Sequence, residues 1–275
     1  MSRRQHDTPW TAAGTASEGE RSADAVVRET GWVFNNRRGR GVDLASFVAT
    51  GDVEVGSYLD TFGVAPDGVG TGRIVEIGSG IGRMTAGFTR LFGRVIACDL
   101  DAAFLERCRE TVAQFGRPER LRTVPVPDGR TLAVADDTAD VAFSYITLQH
   151  CSADDAIALT REAIRVTRAG GKVALNYRTW TGADSVLWPL SKVVRGLWRL
   201  PVVGRILARR RTTTRLGWQA NRLAPADVLA AVGSSLTGVE VFRSPRRPAL
   251  SIPDVADRTF EGVHRSHWWL VATVA

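Results

Sequence analysis

Between Ile74 and Thr85 the chain changes its hydrophobic period. Ile74, Val75 and Ile77 form a short apolar run, Gly78, Gly80 and Gly82 follow, and Met84, Phe88 and Leu91 recur at helical spacing. The pattern predicts a buried strand, a sharp glycine turn and a helix. A second apolar run, residues 95 to 99, ends in Asp99. Upstream, Phe47, Val48, Val53, Val55, Tyr58, Leu59 and Phe62 predict helices, and residues 63 to 72, with Pro66 and four glycines, a connector. Beyond Tyr177 the alternation pauses until a helix that starts near Pro225, with Pro225 and Asp227 in its first turn. Val239 to Arg243 and Trp268 to Val274 predict the last strands. Residues 1 to 24, rich in Ser, Thr, Ala, Gly and charge, predict a loose tail. The expected divisions are therefore that tail, a helical cap over 25–72, a core over 73–178, an insertion over 179–223 and a return to the core over 224–275.

The glycine turn suits a nucleotide-type ligand, and its surroundings narrow the choice. A dinucleotide fingerprint needs a third glycine at position 83, where this chain has Arg83. Glu76, two residues before the first glycine, would repel a phosphate but suits an amino or sulfonium group. Asp99 lies 23 residues beyond Glu76, the separation expected of a carboxylate that binds ribose hydroxyls. S-adenosylmethionine combines these features without a phosphate.

These residues resemble the class I S-adenosylmethionine-dependent methyltransferases. VEIGSGIG (75–82) is similar to their first motif, VIACDLD to their second-strand acid, VPDG (126–129) to the segment after the third strand, and ADVAFSYITLQH (139–150) to the fourth strand and its loop. AIRVTRAGGKVAL (163–175) looks like the helix, turn and fifth strand that follow. The resemblance covers about residues 70 to 178. It implies an α/β, Rossmann-like seven-stranded sheet in the order 3-2-1-4-5-7-6, the seventh strand antiparallel, with helices on both faces; to this the chain's own pattern adds an inserted basic helical lid. It implies S-adenosylmethionine as cofactor, with Glu76, Gly78, Ser79, Gly80, Gly82, Asp99, Leu100, Asp128, Gly129, Tyr145 and Gln149 as its binding residues. Arg83 either meets the methionine carboxylate or caps the surface of its helix.

Charge draws attention to the insertion. Residues 186 to 215 hold eight basic side chains and no acid, a local +8 against +7 for all 275 residues, so the remainder is near neutral. Leu190, Val193, Val194, Leu197 and Trp198 share a helical face, and Pro201 breaks the run before Val202, Val203, Ile206 and Leu207. A hairpin or pair of short basic amphipathic helices is expected, with three readings. It is a lid packed on the core with solvated arginines, a peripheral contact with anionic membrane through residues 186–211 with Trp188 and Trp198 at headgroup level, or a site for an anionic acceptor. Nucleic acid is disfavoured, because the basic residues interleave with aliphatics and no stacking platform is legible. Three cysteines without metal spacing and no signal-peptide pattern suggest a cytoplasmic chain and no bound metal.

Ser144, Tyr145, Ile146 and Thr147 replace the Asn/Asp-Pro-Pro-Tyr turn of base-amine methyltransferases, and Cys151 lacks the preceding proline of a pyrimidine-carbon nucleophile. The expected reaction is transfer to a small-molecule acceptor, first a hydroxyl of a secondary metabolite, sugar or lipid-linked compound. A lipid or quinone reached at a membrane surface is the alternative. A non-catalytic scaffold is a third reading, opposed by the intact glycines with Glu76 and Asp99. A hydroxyl acceptor benefits from a general base; His150 comes first, then His264 and His267, while His6 sits in the tail. His150 has a competing role, in which it caps the following helix or hydrogen-bonds a loop carbonyl.

Overall fold

A computed structural model describes residues 22–34, 42–208 and 210–275. The expected loose tail falls almost wholly outside these residues, and His6 with it. Among the described residues, eight strands form one sheet in the order β3-β2-β1-β4-β5-β8-β6-β7. They are β1 (Thr71–Ile77), β2 (Phe92–Asp99), β3 (Leu121–Pro125), β4 (Ala139–Ser144), β5 (Thr167–Arg178), β6 (Leu236–Arg243), β7 (Ala256–Thr259) and β8 (His267–Val274). The first five run parallel, and β8 lies antiparallel between β5 and β6, pairing Leu175 with Leu270 and Leu270 with Val241. The α/β, Rossmann-like class is as expected from the sequence; the addition is β7, which runs parallel beside β6 at the sheet edge. Its Ala-Asp-Arg-Thr sequence carries no apolar alternation, so patterning could not find it. Side-chain chemistry holds it instead: Arg243 donates from Nε and Nη2 to the two Asp257 oxygens at 2.7 and 2.6 Å.

The helices are α1 (Ala23–Phe34), α2 (Leu44–Phe62), α3 (Thr85–Leu91), α4 (Ala102–Phe115), α5 (Ala153–Val166), α6 (Asp184–Trp198), α7 (Pro201–Ala208), α8 (Arg211–Gly217) and α9 (Pro225–Val232). Successive residues of a strand face opposite ways. Val75 and Ile77 therefore pack with Ala156, Leu159 and Ala163 of α5 and with Val228 of α9, while Ile74 packs with Tyr58, Leu59 and Phe62 of α2 and Phe88 of α3. At Gly51 a Cβ would lie 2.2 Å from the Arg83 carbonyl oxygen, so only glycine lets α2 press onto the turn after β1. Further along α2, Tyr58 meets Tyr145 and Trp269 with centroids 5.0 and 4.9 Å apart, and Tyr145 stacks on Trp269 at 5.5 Å. Val53, grouped above with the apolar positions of this helix, is exposed.

The insertion between β5 and α9 is three helices, α6 to α8, rather than a hairpin or pair. Its apolar face is divided. Val194 and Trp198 are buried against Leu207, Leu216 and Trp218, whereas Leu190, Val193, Val202, Val203 and Ile206 are exposed. The arginines are not uniformly solvated either: Arg195 Nη1 donates to the Gly217 and Gln219 carbonyls at 3.0 and 3.2 Å, tying α6 to the end of α8. Trp188 lies beneath the cationic groups of Lys192, Arg195 and Arg222. Trp180 is thus the exposed tryptophan of this region, in place of the expected Trp188 and Trp198.

Candidate cofactor and acceptor site

Strand order reverses between β1 and β4, and a crevice opens at the carboxyl ends of the strands, as expected for open parallel sheets. The cavity there measures about 440 Å³. Gly78, Gly80 and Gly82 have φ of +82°, +55° and +90°, a left-handed backbone that other residues adopt only under strain. At Gly78 a Cβ would also fall 2.0 Å from Thr147 Oγ1, and at Gly82 it would press on the Cys108 backbone at 3.1 Å. Gly82 thus provides the close contact between the turn and α4. The Gly78 and Ser79 amides both donate to the Cys98 carbonyl, at 2.7 and 3.1 Å, which pins the turn to the end of β2.

Two carboxyl groups face this turn. Asp99 accepts from the Gly80 amide through Oδ2 at 2.8 Å and from the Asp101 amide through Oδ1 at 2.9 Å. Each oxygen keeps a lone pair, so the group can still take a pair of hydroxyl protons. Burial raises its pKa to about 6, against the pull of those amides. Glu76 is buried and accepts from Thr85 Oγ1 at 2.6 Å. Burial lifts its pKa to about 7. Ser79 Oγ is buried with no hydrogen-bond partner among the described residues and lines the same cavity. A ligand with a diol, an amino group and no phosphate fits this set of donors and acceptors.

Of the remaining residues expected to bind cofactor, Leu100, Gly129 and Tyr145 line the cavity. Asp128 is exposed, and its Oδ1 accepts the Arg130 and Thr131 amides at 3.0 Å each in a turn of its own. Gln149 is buried behind the wall, 3.3 Å from His150 Nε2. Arg83 does not cap a helix surface. It is buried, pairs with Glu54 of α2 at 2.7 Å, and lies over the Phe47 and Tyr145 rings.

Arg83, Tyr145 and Ile146 also line a second cavity, of about 950 Å³, so they form the wall between the two spaces. Ile146 holds φ of +52°, a costly conformation for a β-branched residue. Beyond the wall lie Asn176 and Arg178 of β5, Leu187 and Leu216 of the insertion, Arg222, and His264 and His267 at the start of β8. Burial, with Arg178 nearby, lowers the His267 pKa to about 3, leaving the ring neutral. His264 Nδ1 lies 2.8 Å from Ser266 Oγ.

His150 lines the first cavity, not the second. Its Nδ1 lies 2.7 Å from the Trp218 carbonyl, which can only accept, so Nδ1 carries the proton. Nε2 faces the Gln149 amide, and the ring stacks on Trp218 at 4.0 Å. Burial lowers its pKa to about 4. Both nitrogens are therefore engaged, and the ring fills the competing role, clasping the insertion to the loop after β4. Asn221 extends that clasp, its Nδ2 donating to the Leu148 and Cys151 carbonyls at 2.6 and 2.9 Å. Sequence reasoning missed Trp218, Asn221, Arg222 and Asp184, whose partners lie on segments distant in sequence and which share no motif.

Residues 75–175 match the family described as methyltransferase domain. No curated protein sequence matches the chain. Among solved structures, an S-adenosylmethionine-dependent methyltransferase-like protein from Methanococcus maripaludis aligns over 100% of this chain and 97% of its own, at 14% identity and a TM-score of 0.51. A methyltransferase-like protein from Bacillus halodurans aligns over 80% and 98%, at 13% identity and 0.52. The Haemonchus contortus phosphoethanolamine N-methyltransferase 2, solved with phosphomonomethylethanolamine and S-adenosylhomocysteine, aligns over 84% of this chain but only 45% of its own length, at 18% identity and 0.53. Residues 75–175 thus match the methyltransferase domain family, and the fold around them is similar to that of solved S-adenosylmethionine-dependent methyltransferase-like proteins.

Proposed function

We propose that the protein transfers a methyl group from S-adenosylmethionine, held in the cavity over the glycine turn, to an oxygen of a small molecule held in the second cavity. The observation that carries this reading is the shared wall: Arg83, Tyr145 and Ile146 border both spaces. The cofactor supplies an activated methyl on a sulfonium. The protein's part is alignment, a contribution that can reach ~7–11 kcal/mol in well-oriented reactions. Asp99 and Glu76 would fix the donor from one side, and the rigid Ile146 turn would set the distance from the other. His267, neutral and beside the acceptor space, is the better-placed proton acceptor, while His150 positions the insertion through Trp218.

This assignment predicts different kinetic defects. His267→Asn should lower turnover about tenfold or more, with S-adenosylhomocysteine affinity retained. His150→Asn should act through cofactor affinity and Trp218 fluorescence, with a smaller change in turnover. Unchanged turnover in His267→Asn would remove it as the base. The acceptor class rests on the absence of a base-amine turn after β4, and a screen of hydroxyl, amine and carboxyl acceptors with labelled cofactor tests it directly.

A second feature favours work at a membrane surface. Among the described residues, the exposed large hydrophobic side chains all fall between Trp180 and Ile206, apart from Val53 and Val69. Basic residues flank them and no acid occurs between 186 and 215. No helix among the described residues is long and apolar enough to cross a membrane. An exposed apolar face ringed by cations suits shallow insertion among anionic headgroups. Co-sedimentation with phosphatidylglycerol vesicles should therefore be strong at low salt and weak with phosphatidylcholine, and a Val202→Ser/Ile206→Ser double variant should lose most of it. Equal sedimentation of variant and wild type would refute the membrane reading.

A further inference from the structure

The second cavity carries a charge imbalance that methyl transfer alone does not require. Arg178, at the end of β5, donates from Nη2 to Asp184 Oδ1 at 3.0 Å. Arg222 donates to the same oxygen from Nε and Nη2, at 2.9 and 2.7 Å. The Asp184 side chain is fully buried, and those of Arg178 and Arg222 are 14% and 6% exposed. One negative charge thus serves two buried guanidinium groups. The other Asp184 oxygen is already taken by the amide and hydroxyl of Thr181, at 2.8 and 2.7 Å. Arg178 Nη1 donates to Ser266 Oγ at 3.2 Å, but its Nε has no hydrogen-bond partner among the described residues.

The rest of the cavity does not restore the balance. Arg83 is matched by Glu54, whereas Arg246 and Arg265 face a single acid, Glu261. His264 and His267 add no negative charge, and the field of Arg178 is one reason His267 stays neutral. A buried cation with only part of a counter-charge is expensive to maintain. It is also a preorganised receptor, because guanidinium groups bind phosphate and carboxylate oxygens through paired donors.

We propose that the acceptor molecule carries a phosphate or carboxylate group that seats against Arg178 and Arg222, and that this anion orients the acceptor toward the Tyr145–Ile146 wall. The proposal rests on the reading of the second cavity as the acceptor side. An anion in this place would offset the Arg178 field and make His267 a stronger base, so charge on the acceptor and proton removal become linked.

The test uses the full chain and titrates inorganic phosphate and, separately, acetate at fixed ionic strength, with and without saturating S-adenosylhomocysteine. Saturable binding of at least one anion is expected, unaffected by the nucleoside, and at least tenfold weaker in Arg178→Gln. Preference for phosphate or acetate identifies the group. Arg265→Gln, at the exposed rim, provides a variant whose folding is not at risk, with an expected loss of about threefold. The proposal is overturned if neither anion saturates the wild type, if both variants bind as wild type does, or if S-adenosylhomocysteine displaces the anion, which would assign the arginines to the cofactor. If the wild type binds phosphate but not S-adenosylhomocysteine, the anion site stands and the cofactor reading falls.

Discussion

Asp99→Ala is expected to weaken S-adenosylhomocysteine binding at least about a hundredfold while the chain stays folded. The carboxylate does two things at once. It fixes the glycine turn through the Gly80 amide, and it keeps a free lone pair on each oxygen that the hydroxyls of a bound ribose would take. Hydrogen bonds to charged groups contribute about 1.5–3 kcal/mol each, so losing two of them gives the stated factor before any loosening of the turn is counted. Asp99→Asn should fall between, since its amide offers one acceptor oxygen. Calorimetry on the three proteins checks the order, and equal affinity of wild type and Asp99→Ala would sink the cofactor assignment.

The same titration has a defined pH dependence. Folded Asp99 and Glu76 have pKa values near 6 and 7, above the ordinary 3.8 and 4.5. Raised carboxyl pKa values favour the protonated folded protein, so their contribution to unliganded stability is full below about pH 4 and is lost as pH rises through 7. Ligand binding needs the opposite, ionised, form. Affinity should therefore rise between pH 5 and pH 8, with protons released on binding near pH 6. A flat affinity across that interval would show that neither acid meets the ligand.

Asp184→Ala should produce the largest loss of stability, about 3–5 kcal/mol, because it strands two buried arginines. Burial by itself would raise the Asp184 pKa, yet hydrogen bonds from Arg222 and Thr181 hold it below the ordinary carboxylate range. Its contribution is therefore present above about pH 4 and is lost as pH falls below that. The damage should begin locally. Asp184 opens α6, Arg222 leads into α9, and Arg178 ends β5, so the first consequence is release of the insertion. Proteolysis should cut between 184 and 222 in the variant well before the core, and urea unfolding should show the lowered stability. A variant as stable and as resistant as wild type would show that the three groups do not act as a unit.

Some of this was legible in the chain because it is local. A glycine that must adopt φ near +80° leaves its mark at its own position, and a carboxylate at a strand end is fixed by the count of residues along a βα unit. The turn from Gly78 to Gly82, with Glu76 and Asp99 beside it, needed no knowledge of distant segments. The order of the sheet followed from the family resemblance, except for β7, whose pairing depends on Arg243 and Asp257 rather than on an apolar period.

Asp128 and His150 show where local reasoning stops. Each stands where a motif would place it, but Asp128 spends its carboxylate on its own turn, and His150 is engaged by Trp218, 68 residues away. Arg83 likewise turned inward because Glu54 on α2 offers a buried counter-charge. The sequence by itself determined the fold class and the glycine turn, since backbone conformation and hydrophobic period act between near neighbours. Only the tertiary structure decided which histidines line the second cavity, which arginines share Asp184 and which apolar residues stay exposed. Those outcomes depend on burial and on partners that meet only when β5, the insertion and β8 are folded together.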